Sequence, residues 1–139
     1  MPTASRSDAA DLPVRPGEEP WTPAELAEVR AELGSEVAGL RADIAKAAAD
    51  IADRLIDSAR DAGDDEADAG AKAFEREQEL ALTQNAQDLL DQGERAQHRI
   101  DGGTYGVCES CGKPIGKARL LAFPRATLCV ACKQRQERR

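Results

Sequence analysis

Cys108-Glu109-Ser110-Cys111-Gly112, answered after seventeen intervening residues by Cys129-Val130-Ala131-Cys132, holds all four cysteines of the chain. Two residues between thiols let both sulfurs of a pair turn toward one point, and two such pairs supply the corners of a tetrahedral zinc site. Gly112 stands where a tight knuckle calls for positive φ. Lys133-Gln134-Arg135-Gln136 is a helix-forming run, which puts Cys129 and Cys132 on a first helical turn, where free N–H groups favour thiolate. Two redox dithiols or two disulfides are the competing readings of the same spacing. Four cysteines close the coordination shell of a metal, leaving no place for water or substrate, so the zinc is expected to be structural. The segment between the pairs is too small to build a core, and the metal should supply much of its folding free energy.

The composition fits a small module carried on helices. Of 139 residues, 41% are apolar but only 3% aromatic, and alanine supplies much of the apolar share, which suits close-packed helices better than a thick core. The first twenty residues carry no apolar run, so no secretory signal is expected, and no stretch is apolar enough to span a membrane. A reducing, cytoplasmic setting follows as the expectation, and it favours metal over disulfide. The net charge of −7 is unevenly divided: residues 1–107 carry −13 and residues 108–139 carry +6. The basic end is either a nucleic-acid footprint or a solvated surface, and the acidic remainder weakens any nonspecific grip on DNA.

Residues 1–20 contain four of the seven prolines and read as a disordered tail. Trp21-Thr22-Pro23-Ala24-Glu25-Leu26 is a helix start. Thr22 caps, Pro23 suits the first position, Glu25 completes a capping box, and Trp21 with Leu26 is spaced as a hydrophobic staple. An apolar face then runs through Leu26, Val29, Leu33, Val37, Leu40, Ile44, Ala48, Ile51, Leu55 and Ala59, an eleven-residue repeat that predicts a straight or slightly right-handed pair. A helix from Pro23 to Arg60 would be about 57 Å long, and with one apolar stripe it needs a partner. Asp61 to Asp65 breaks the pattern, and a second helix is expected from about Asp68 to Ile100, with a stripe of Phe74, Ala81, Leu82, Ala86, Leu89, Gly93, Ala96 and Ile100. Folding back so that paired numbers sum to about 129 sets Leu55 against Phe74 and Val29 against Ile100. Asp101-Gly102-Gly103 ends this helix. Leu120, Leu121, Phe123 and Leu128 are expected around the metal, with a short basic helix after them. The fold class is therefore mostly α: an antiparallel helical hairpin over 21–104 with an acidic tip near 61–68, joined to a zinc finger and C-terminal helix over 105–139.

The tip crowds Asp61, Asp64, Asp65, Glu66 and Asp68 into eight residues. As bare composition, this is a solvated turn whose acids favour a helix start; a carboxylate probe aimed at a basic or metal-bearing cavity is the functional alternative. The residues Tyr105-Gly106-Val107-Cys108-Glu109-Ser110-Cys111-Gly112, Pro114-Ile115-Gly116, Arg119-Leu120, Ala122-Phe123-Pro124 and Cys129-Val130-Ala131-Cys132-Lys133 resemble the DksA/TraR family of zinc-finger proteins, and the likeness extends back to about Asp65. The resemblance implies a regulator that binds bacterial RNA polymerase rather than promoter DNA, and a monomer is expected. Its coiled coil would enter the secondary channel and bring tip acids toward the active centre, altering initiation. In some members ppGpp joins at that interface. The family's tip signature, Asp-x-x-Asp-x-Ala, falls on Asp65, Asp68 and Gly70, with glycine in place of the alanine. A zinc-stapled adaptor for another protein and a DNA-reading finger are the alternative functions. An enzyme is not expected: the metal shell is closed, and the one histidine, His98, has no nucleophile beside it in the pattern.

Overall fold

The computed structural model describes residues 9–60 and 66–138, without the side chains of 58, 60 and 66–68. It is mostly helical: a 3-10 turn at Ala9–Asp11, then α1 (Pro23–Arg60), α2 (Glu66–Gly102), α3 (Lys117–Ala122) and α4 (Val130–Glu137). The acidic tip expected at 61–68 falls outside the described side chains, and 61–65 lie outside the described backbone. The chain divides into two compact units, one of residues 1–37 with 91–139 and one of residues 38–90. The boundary differs from the expected one near residue 104, because the first turns of α1 and the last of α2 share their core with the cysteine module.

In the first unit, α1 starts as its sequence dictates. The Thr22 N–H donates to Glu25 Oε1 at 3.0 Å and the Glu25 N–H donates to Thr22 Oγ1 at 3.1 Å, closing the capping box. Trp21 and Leu26 are both buried in one cluster with Val29, Leu33, Ala96, Ile100, Tyr105, Ile115 and Leu120. α2 ends in a Schellman motif: the Thr104 N–H reaches Arg99 O at 2.9 Å, the Gly103 N–H reaches Ile100 O, and Gly103 takes φ +78°. The helices here run antiparallel, with Arg30 paired to Asp101 at 2.8 Å. Those numbers sum to 131, close to the expected register. A Cβ added to Gly93 would lie 2.9 Å from Val37 Cγ2, so this glycine makes room for the Val37 side chain. Gly34 and Gly39 have nothing within 4 Å of an added Cβ. Gly34→Ala and Gly39→Ala should each stabilise by up to about 1 kcal/mol, whereas Gly93→Ala should destabilise by about 1–3 kcal/mol through overpacking; thermal melts of the three variants test the contrast.

Residues 9–20, expected to be disordered, instead form a strap on this unit. Ala9 and Leu12 are buried in the same cluster. The Glu18 carboxylate accepts the N–H groups of Lys117 at 2.9 Å and Ala118 at 3.1 Å, and so caps α3 from ninety-nine residues away. It also accepts the Arg15 N–H at 2.8 Å. The Gly116 position before α3 has no side chain to do this job, which is why a carboxylate from elsewhere fills it. Lys117 in turn donates to Glu25 Oε1 at 2.8 Å and to Pro20 O at 3.3 Å.

In the second unit, two helical segments pair without a third layer. Leu90 is its only buried residue among those described. Arg54 and Glu79 form an ion pair across the two segments, whose numbers sum to 133. The expected stripe needs correcting here. Ala47, not Ala48, is half-buried; Leu90, not Leu89, is the buried leucine of the pair; and Ala81 is exposed. Phe74 is 61% and Leu82 70% exposed, so Phe74 does not seal against Leu55, itself 53% exposed. Two helices enclose only a narrow seam, and apolar residues off that line stay in solvent.

Candidate metal centre

Backbone geometry builds the first knuckle. The Cys108 N–H donates to Lys113 O at 2.9 Å and the Gly112 N–H to Cys108 O at 3.0 Å. Gly112 has φ +75°, the conformation its place after the second thiol required. Val107 and Pro114 form a single antiparallel bridge, and the Ile115 N–H reaches Gly106 O at 2.8 Å. The second knuckle is a helix start. Cys129 is the N-cap of α4 and Cys132 lies in its first turn, with the Lys133 N–H closing on Cys129 O at 2.9 Å. The Glu109 N–H donates to Thr127 O at 2.9 Å and ties the knuckles together.

All four sulfurs lie within 4.8 Å of one another, and Cys111 Sγ is 3.9 Å from Cys129 Sγ. A zinc ion with Zn–S bonds of about 2.3 Å places its sulfurs about 3.8 Å apart, so the donor set fits. Cys108 and Cys132 are buried, Cys129 is half-buried and Cys111 is exposed. Burial raises the Cys108 thiol, but the N–H groups of Cys111, Cys129 and Ser110 outweigh it and bring it down to about 6. The Cys132 N–H lowers Cys129. A bond from Ser110 favours the Cys132 thiolate, yet burial and the neighbouring sulfurs prevail and push that thiol up to about 11. Sulfurs this close cannot all lose their protons unaided, and a divalent cation supplies the missing compensation. The chain's cofactor is one structural zinc ion; neither disulfide is formed.

Around this centre, Leu120 is fully buried, and Leu121 and Leu128 pack half-buried against the core. Tyr105 is buried beside Trp21, ring centroids 6.0 Å apart, and its hydroxyl donates to Pro124 O at 2.9 Å. Burial raises its pKa well beyond the usual phenol range. Phe123, expected in this core, is 60% exposed, and the Arg119 guanidinium lies 5.8 Å over its ring. Arg95, Arg119, Arg125 and Lys133 line an open depression beside it, together with Glu137.

Three supporting contacts escaped the sequence reading. Glu109, between the first two cysteines, accepts from Arg99 at 2.8 Å and Arg95 at 3.3 Å, fastening the knuckle to α2. The Arg135 guanidinium donates to Cys132 Sγ at 3.3 Å. Glu18 caps α3, and the only hint of its strap was the apolar trio Leu12-Pro13-Val14. Burial raises the Glu18 pKa, but the N–H groups of Arg15, Lys117 and Ala118 outweigh it, and the net shift is downward. A lowered folded-state pKa adds stability above the usual carboxylate pKa, which is lost as pH falls through the lowered value. Glu18→Gln should therefore cost about 1 kcal/mol at neutral pH, and the gap between the two proteins should close on acidification, as read by denaturant midpoints across pH.

Residues 103–138 match the family described as prokaryotic dksA/traR C4-type zinc finger. The solved structure of transcription factor DksA2 from Pseudomonas aeruginosa is similar with a TM-score of 0.67 and 34% identity, over 84% of this chain and 85% of that one. The chain belongs to the DksA/TraR family. Curated relatives from several bacteria carry the name RNA polymerase-binding transcription factor DksA, among them one from Caulobacter vibrioides and one from Escherichia coli. The one from Caulobacter vibrioides is 42% identical over 65 residues, 47% of this chain and 46% of that protein. The one from Escherichia coli is 37% identical over 62 residues, 42% and 41%. This chain thus aligns with just under half the length of the curated DksA proteins. The DksA2 likeness covers far more than the 36 residues of the finger, so it takes in helical segments as well. Of the tip positions that the DksA/TraR signature picks out, Asp65 and the Asp68 side chain lie outside the described residues. Gly70 is exposed in α2 with nothing within 4 Å of an added Cβ.

Proposed function

We propose that this protein binds bacterial RNA polymerase and modulates initiation from the secondary channel, with Asp65 and Asp68 presented toward the active centre and Gly70 beside them. Cys108, Cys111, Cys129 and Cys132 hold the zinc that keeps the supporting module folded. The reading is carried by the likeness to DksA2, which extends across both chains rather than stopping at the finger. The names of the Caulobacter and Escherichia relatives supply the partner. Charge is consistent with it: five carboxylates in residues 61–68, with no cation among them, repel one another and suit a cationic or metal-bearing cavity. The charge of −13 over residues 1–107 argues against DNA as the main partner.

Co-purification with core RNA polymerase tests the proposal directly. The tagged chain should retain the polymerase, and a competing protein that occupies the secondary channel should displace it. Capture of some other complex without polymerase would select a zinc-stapled adaptor instead. Addition of ppGpp to the same binding assay decides whether the alarmone tightens the complex, as the family resemblance implies for some members.

A further inference from the structure

A zinc ion held by four thiolates carries a formal charge of −2, and the surroundings must offset it. The Cys129 N–H points at Cys108 Sγ at 3.4 Å, a backbone contribution common to such knuckles. Cys132, one of the two buried sulfurs, has a charged donor besides the bond from Ser110: the Arg135 guanidinium at 3.3 Å, one turn further along α4. The i, i+3 spacing on a helix keeps the two side chains on one face, so the contact is built into α4 rather than borrowed from a distant loop. A permanently charged donor weakens sulfur as a nucleophile more than a neutral N–H does, because charge-assisted bonds are the stronger ones.

We propose that Arg135 is a positioning residue of the zinc centre, donating to Cys132 Sγ to offset part of the tetrathiolate charge and to shield that sulfur from electrophiles. The inference rests on Cys132 being a zinc ligand. The competing role for Arg135 is a cation that complements the C-terminal end of α4. Any cation at this position would meet that role, and the sulfur's electronic state would then be independent of the side chain there.

Cobalt substitution separates the two, since the thiolate-to-cobalt charge-transfer band reads electron density on sulfur. Arg135→Leu should shift that band to lower energy while the tetrahedral d–d bands stay in place. The same variant should lose zinc affinity about tenfold, the low end for a ligand-supporting partner because Arg135 is exposed, and alkylation of the zinc-loaded protein by iodoacetamide should speed up. Arg135→Lys, which keeps the charge, should fall between the two. Arg138→Leu removes a cation from the end of α4 and should match the parent. A charge-transfer band unmoved in Arg135→Leu, or moved equally in Arg138→Leu, would overturn the proposal. Failure of the parent protein to show any thiolate band would overturn the metal reading on which it rests.

Discussion

Stripped of zinc by a strong chelator, the protein is expected to lose the ordered core that residues 9–37 and 91–138 share. Structural zinc contributes about 10–16 kcal/mol in finger peptides, comparable with or above the whole stability of an ordinary domain, about 5–15 kcal/mol. Without it, four sulfurs confined within 4.8 Å repel as they ionise. Tyr105, Ile115 and Leu120 then lose the loops that hold them beside Trp21. Trp21 and Tyr105, tilted at 60° with centroids 6.0 Å apart, give an optical reporter. Their near-ultraviolet circular dichroism should collapse on chelation and return with one equivalent of zinc. Cleavage after Glu18 by a glutamate-specific protease should rise in parallel, since that side chain anchors the strap to α3. Cys108→Ser should behave like the chelated protein. A sharp near-ultraviolet spectrum persisting in metal-free protein would show that the metal is dispensable.

Asp65→Asn together with Asp68→Asn is expected to abolish the effect on transcription while leaving the zinc content and the Trp21–Tyr105 signal as they were. The two changes are isosteric, remove two charges from the tip, and lie outside the cysteine module. Binding to polymerase should weaken only in part, because the tip is one portion of the surface the proposed complex would bury. If promoter output responds to the doubly substituted protein as to the parent, the acids are not the working end. Gly70→Ala points the other way. An added methyl meets nothing within 4 Å, and alanine favours the helix by about 1 kcal/mol over glycine. The variant restores the family's residue and should strengthen the transcriptional effect.

Much of the scaffold could be read because its signals were local. The capping box at Thr22 and Glu25, the stop at Gly103 and the knuckle at Gly112 each rest on residues a few positions apart. The α1 stripe held from Leu26 to Ile44, where leucine, isoleucine and valine contrast with charged neighbours. It slipped by one residue at Ala47, where consecutive alanines erase the contrast in size. In α2 the same ambiguity arose at Leu89 and Leu90, two equal side chains side by side. Phe74 and Leu82 misled for a different reason: apolarity shows that a residue would gain from burial, not that a neighbour exists to bury it. Phe123 is apolar enough for the core by type, yet it lies 60% exposed under the Arg119 guanidinium. Glu18 was beyond reach. The amides it caps lie about a hundred positions away, and an acidic pair between Gly17 and Pro20 resembles any solvated tail.

That carboxylate bears on how the protein is handled in the laboratory. The capping box invites an expression fragment trimmed to start at Trp21, just outside the first long helix. Such a fragment would expose the amides of Lys117 and Ala118 and bare the pocket that Leu12 fills, so a weakened finger in it would reflect the cut, not the cysteines.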